Sequence, residues 1–223
     1  MNKIKISLPA YILFSASFFL LLTLSIWQLN KNFVSNKTKS SYEKNIKKQP
    51  VLIESLNREF TNYNYLKLKG ELLEKKAIFM EPRTLNGVVG YHKIIPMKLG
   101  KKFILINVGF SKTKIKNQSF KKPITLQGII INFPRPHFFA LENDIKEDKW
   151  YTLHKKDIES YMKLDLVPYI FYETGGRSKE KFINVLPNKI RNINHLQYSI
   201  TWALLAITMS IIFIIQIRAK NAK

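Results

Sequence analysis

Two long apolar runs, one near each end of the chain, enclose a stretch in which apolar and polar positions change over short distances. Ile6 to Asn30 holds no charged residue, and Leu8 to Ile26 alone approaches the ~20 residues that cross ~30 Å of hydrocarbon as a helix. The run ends in Trp27-Gln28-Leu29 rather than in a small-residue cleavage pattern, so it reads as an uncleaved anchor with Trp27 at the headgroup level. The second run, Leu196 to Ile217, is also uncharged, and basic residues bracket it: Lys189 and Arg191 before, Arg218, Lys220 and Lys223 after. A core helix of a water-soluble protein is rarely apolar on every face for this length. Both runs are expected to span a bilayer.

Between them, 30–50 is rich in Lys, Asn and Ser and closes at Pro50, which reads as a stalk. Val51, Leu52, Leu56 and Phe60 have helical spacing and predict one short helix. Strands follow. Tyr63 to Gly70 alternates, Ala77 to Glu81 precedes a turn around Pro82, Asn86 and Gly87, and Val88–Met97 and Lys102–Phe110 flank a hairpin signal at Leu99-Gly100-Lys101. Pro123–Asn132 and Pro168–Glu173 add two more, and Lys155 to Lys163 predicts a helix. The expected fold is two transmembrane helices flanking a compact antiparallel sheet or partly closed barrel with one or two short helices. The segments are 1–7 (tail), 8–29 (span), 30–50 (stalk), 51–194 (β-rich domain), 195–217 (span) and 218–223 (tail).

Charge changes this picture little. A net charge of +22 first suggests nucleic acid, but the excess is mostly lysine, in scattered pairs such as Lys75-Lys76 and Lys101-Lys102 rather than one stripe. Solvated surface is the leading reading, attraction to anionic headgroups the second, and no nucleic-acid partner is expected. Both termini lie on one side of the bilayer, but the charge rule leaves that side open. Lys3, Lys5, Arg218, Lys220 and Lys223 oppose Lys31, Lys37, Lys39, Lys44, Lys47 and Lys48.

Candidate chemistry in the middle domain is sparse. The chain has no cysteine, which excludes disulfides, thiolate metal sites and dithiol redox chemistry. There is no glycine-rich phosphate loop, GxSxG or HExxH. Glu142, Asp144, Glu147 and Asp148 read as a solvated loop, and His92, His137 and His154 lack short ligand spacing. No catalytic residues are assigned.

The distinctive constellation lies at the mouth of the second span. His195, Tyr198 and Trp202 follow one another at helical intervals, with Lys189 and Arg191 just outside. Such an arrangement could hold an iron porphyrin: His195 as axial ligand, Tyr198 and Trp202 along the macrocycle, Arg191 and Lys189 at the propionates, and Gln28 of the first span on the second imidazole nitrogen. The bland alternative is an interfacial belt that only anchors the helix. Both stay open on residues alone.

Several segments in order resemble the Surfeit locus protein 1 family. They are Ile26-Trp-Gln-Leu29, Glu81-Pro-Arg83, Gly90-Tyr-His-Lys-Ile-Ile-Pro96, Phe103 to Phe110, Phe138 to Trp150 with Asn143-Asp144, and above all Asn194-His-Leu-Gln-Tyr198 with Thr201-Trp202. One position departs from the pattern: Val108 stands where the family commonly has arginine. The resemblance implies a non-enzymatic assembly factor of cytochrome c oxidase in a bacterial inner membrane, with cytoplasmic tails and a periplasmic middle domain. It further implies delivery of haem a, held through His195, from the haem a synthase to the oxidase catalytic subunit. The alternative is a scaffold that steadies either partner without touching haem.

Overall fold

A computed structural model describes residues 7–116, 123–135, 139–175, 182–187 and 194–221. The chain forms two compact units, Met1–Ser40 with Lys189–Lys223, and Ser41–Asn188.

The first unit is built on two helices, α1 (Leu8–Ile46) and α3 (His195–Asn221). Both are long and apolar enough to cross a bilayer, with mean hydropathies of 1.9 and 2.3 over their spanning windows. Partners such as Phe14 with Phe213 and Ser25 with Ser199 show that the helices run antiparallel. The seam advances in steps of four and three residues: Phe14, Phe18, Leu21, Ser25 and Gln28 on α1, and His195, Ser199, Trp202, Ala206, Met209 and Phe213 on α3. These positions are buried or half-buried, while Ile207, Ile211 and Leu204 are largely exposed. This is the 3.5-residue period of helices that stay in register by slight supercoiling. The outward faces are apolar as well, because hydrocarbon is their solvent.

One expectation changes here. The stalk predicted at 30–50 is not a separate segment, since α1 continues unbroken to Ile46. No glycine or proline interrupts the chain between Asn30 and Pro50, so nothing in the sequence stops the helix sooner.

The second unit is a β-rich domain of seven strands: β1 (Val51–Ile53), β2 (Asn64–Leu72), β3 (Ile78–Leu85), β4 (Val88–Leu99), β5 (Lys102–Ser111), β6 (Ile124–Asn132) and β7 (Leu166–Glu173). The order β2-β6-β7-β5-β4 closes on itself through Glu71↔Lys98 and Leu72↔Met97, which makes a five-stranded barrel with β1 and β3 at its margins. Most pairings are antiparallel; β5·β7 and β1·β2 are parallel. The interior holds Leu68, Met97, Ile104, Ile106, Leu126 and Phe171. A second core lies on the outer face, where α2 (Lys155–Met162) and Trp150 cover Ile94, Leu105 and Ile170. The run Phe103-Ile-Leu-Ile106 serves both cores, which is why it is apolar throughout instead of alternating.

The short helix predicted from Val51 is absent. The chain makes the three residues of β1, parallel to β2, and then an irregular stretch to Phe60. Leu56 and Phe60 are buried as their pattern required, but on non-helical backbone. The turn placed around Pro82 is a register shift between Met80 and Arg83 inside β3, and the reversal is Asn86-Gly87, both with positive φ. Val108 sits at the β5 register shift and points into the barrel core, 1 % exposed. Beside it Gly109 has φ +133° and lies against the Ile183 carbonyl, 2.6 Å from where a Cβ would stand, so only glycine fits.

Candidate functional site

The site begins with a helix cap. Asn194 precedes α3, and its Oδ1 accepts a hydrogen bond from the Gln197 backbone N–H at 3.1 Å. The Asn194 amide returns a bond to Gln197 Oε1 at 3.3 Å. The bond from the Gln197 N–H to the Asn194 side chain is an N-cap, and α3 starts at His195. The Asn-His-Leu-Gln-Tyr segment is thus a helix start with an imidazole on its first residue.

Across the seam, His195 Nδ1 meets Gln28 Oε1 at 2.9 Å. The bond ties Nδ1 to the α1 side chain and leaves Nε2 as the ring's other nitrogen. Gln28 lies at the end of the apolar part of α1, at a half-buried seam position. One rung deeper, Ser25 and Ser199 are both buried. Ser25 Oγ donates to the Ser199 carbonyl at 3.0 Å, and Ser199 Oγ donates to the Ser25 carbonyl at 2.9 Å. Trp202 is half-buried on the same stripe. On α1, Trp27 is 51 % exposed and Lys31 Nζ rests 5.6 Å from its ring centroid.

Of the residues singled out in the sequence, the structure brings His195 and Gln28 into contact and puts Trp202 on their seam. Tyr198 is turned about 60° around the helix from His195 and is 55 % exposed, beside the seam rather than in it. Lys189 and Arg191 lie outside the described residues. Sequence reasoning missed the Ser25–Ser199 pair; the signal was two hydroxyls at seam spacing from Gln28 and His195.

The arrangement suits an iron porphyrin in its donor chemistry. An imidazole tied through one nitrogen is held in one ring orientation, as metal-ligating histidines are by their outer partners. Trp202 shares the seam stripe with His195, and Trp27 with Lys31 stands beside Gln28 in the α1 sequence.

The β-rich domain uses its polar groups structurally. Asp148 accepts from Trp150 Nε1 at 2.7 Å, and Asp144 Oδ1 accepts from the Glu147 N–H at 3.2 Å. Asn143 gathers the Tyr151 and Thr152 N–H groups and donates to Asp157, which also meets His154 Nδ1 at 2.8 Å. Lys93 is fully buried between the Phe79 and Phe182 rings, paired with Glu74 and bonded to the Ile115 carbonyl. His92 contacts Asn107 at 3.3 Å, and burial pushes the Tyr172 phenol up, partly offset by its hydrogen bond with Asn107. No group of three metal-ligating side chains occurs among the described residues, and His137 lies outside them.

Comparison with known proteins agrees with the resemblance carried by these segments. The family model described as "SURF1 family" matches residues 15–207. A SURF1-like protein of Rickettsia conorii is 27 % identical over 219 residues, covering 92 % of this chain and 90 % of that protein. Those of Rickettsia felis and Rickettsia bellii are 26 % and 24 % identical, covering 89 % and 93 % of this chain and 92 % and 90 % of their own lengths. The matched region takes in most of α1, the first half of α3 and the whole barrel. With two membrane-spanning helices and, between them in the chain, a five-stranded barrel, the protein belongs to the SURF1 family, known as a family of cytochrome oxidase assembly factors.

Proposed function

We propose that this protein holds haem a on its way from the haem a synthase to the catalytic subunit of cytochrome c oxidase. His195 would hold the haem iron through its imidazole. The observation that carries the reading is the 2.9 Å bond between His195 Nδ1 and Gln28 Oε1, because it orients the ring through one nitrogen, as the outer partner of a metal-ligating histidine does. Haem a, when bound, would supply the iron; every other task falls to the chain. Gln28 orients the ring and the capped first turn of α3 fixes its backbone. Trp202 and Tyr198 would supply aromatic surface, and Lys189 and Arg191, near in sequence, would offer cations for the propionates. A single tethered imidazole at a lipid edge suits a carrier, which must release its load.

In this reading the protein sits in a bacterial inner membrane with its tails in the cytoplasm and the barrel in the periplasm. The Rickettsia relatives support a bacterial setting. No bond is made or broken on the way, so no catalytic group is required.

The test is pigment analysis of the detergent-purified protein co-expressed with the enzymes of haem a synthesis. A haem spectrum is expected in the wild type and its loss in His195→Ala. A wild type without pigment, which still captures oxidase subunits, replaces the carrier reading with that of a scaffold for the oxidase subunit or the synthase.

A further inference from the structure

Among the described residues, five hydroxyl groups in these two helices donate to backbone carbonyls, and they do so in two ways. Thr23, Thr201 and Ser210 turn back and donate to carbonyls four residues earlier in their own helix: Phe19, Gln197 and Ala206, at 2.8, 2.9 and 2.8 Å. That is the ordinary fate of a hydroxyl in hydrocarbon, where its own helix is the nearest acceptor. Ser25 and Ser199 depart from it. Each reaches across the seam to the other's backbone carbonyl, and their oxygens approach to 3.1 Å. They are also the two buried polar side chains among the described residues of the helical unit.

We propose that Ser25 and Ser199 are positioning residues, a reciprocal pin that sets the register in which Gln28 meets His195 and so the direction in which Nε2 is presented. The part of this inference that concerns haem rests on the function proposed above; the part that concerns the imidazole does not.

The reason is stiffness. The Gln28 side chain has three rotatable bonds and can track His195 through a small slide of the helices, so that rung alone does not define the register. The Phe14, Phe18 and Ala206 side of the seam is held by packing, without a directional bond between the helices among the described residues. The serine pin differs because its acceptors are main-chain oxygens. With two hydroxyl protons donated to two carbonyls, it ties backbone to backbone through the shortest hydroxyl side chain available. A slip of one residue moves a helix by about 1.5 Å and rotates its side chains by about 100°, which breaks both bonds where no water can replace them. Ser25 is three residues from Gln28 and Ser199 four from His195, less than about 6 Å along each axis, so the pin acts directly on the imidazole's place.

The experiment uses the full chain in detergent. The protein has no cysteine, so Ser25→Cys with Ser199→Cys introduces the only thiols. Mild oxidation is expected to bridge them. Nitrogen-15 NMR of the imidazoles, with His195→Ala to identify the signal, is expected to show Nδ1 protonated in the wild type and in the bridged variant. Ser25→Ala with Ser199→Ala is expected to lose that signature and to retain about 3- to 20-fold less haem, the range carried by interhelical hydrogen bonds of this kind. The bridged variant is expected to recover both. An unchanged His195 signature in the alanine pair overturns the proposal. If the alanine pair does not accumulate, failure of the cysteine pair to bridge overturns it instead. A wild type that carries no haem, while its NMR signature still depends on the serines, removes the haem function and leaves the positioning role standing.

Discussion

Replacing Gln28 with leucine isolates the part of the site that sequence and structure both point to. Leucine keeps the seam apolar and removes the carboxamide, including Oε1, the acceptor 2.9 Å from His195 Nδ1. The substitution has two costs, and they differ in size. For the pairing of α1 with α3, the lost bond is worth about 0.6 kcal/mol and at most about 1.7, as for interhelical hydrogen bonds in bilayers generally, so the helices stay together. For a metal ligand the cost is larger, because the untied ring turns about its own axis, shares its proton between the two nitrogens and donates less strongly. Outer-shell partners of ligating histidines are worth about 10- to 100-fold in affinity, or about 1.4 to 2.7 kcal/mol. The assay is titration of haem into purified apoprotein, monitored in the visible spectrum, for wild type, Gln28→Leu, Gln28→Glu and His195→Ala. Gln28→Glu retains an oxygen acceptor and is expected to recover most of the loss. If Gln28→Leu binds as tightly as the wild type, the amide does not tune the imidazole and the reasoning fails.

The barrel carries two further expectations. Trp150 is fully buried over Ile94 and Ile170 and donates Nε1 to Asp148, so Trp150→Ala is expected to destabilise the domain by about 3 to 5 kcal/mol in chemical denaturation while α1 and α3 remain helical by circular dichroism. Burial pushes Asp157 up, but its hydrogen bonds from His154 and Asn143, with the charge of His154, pull its carboxyl below the usual 3.8; Glu159 is likewise pulled below 4.5, against burial, by Lys155 and the Leu166 N–H. A carboxylate depressed in the folded state adds stability above its unfolded value and loses it as pH falls through the folded one. The difference in thermal midpoint between wild type and Asp157→Asn is therefore expected to shrink as the pH falls from about 5 to below about 4. A gap that keeps widening below about pH 4 contradicts the assignment.

The strands and spans were legible in the chain because each is a local pattern. Alternation marks β2, the near-continuous apolar run of β5 marks a strand covered on both faces, and length alone marks the spans. What escaped depends on distant partners. Leu56 and Phe60 point into the barrel because β1 lies beside β2, and an irregular chain over a curved core reproduced the spacing of a helix. The parallel pairing of β5 with β7 was hidden for the same reason: β6 and α2 intervene in the chain, and no turn signal announces a neighbour so far along it. Nor does a sequence show that Pro82 lies within a bulged strand instead of ending one.

The site shows the same division, with one difference. Gln28 and His195 were recognisable because amides and imidazoles are scarce in an apolar span. Ser25 and Ser199 were not, since serine in such a helix ordinarily bonds to its own backbone, as Ser210 does. Yet once Gln28 and His195 are taken as a pair, the antiparallel seam dictates the remaining rungs. Three residues back along α1 and four forward along α3 give Ser25 opposite Ser199, and three further alternating steps give Phe14 opposite Met209, one step short of Phe213, whose ring stacks on Phe14 at 4.1 Å. A single contact between the spans determines all the others, because rigid helices on a heptad seam leave no freedom but register. The imidazole is therefore held by the whole seam, and the hydroxyl pair is the place where a change of register has the fewest ways to be absorbed.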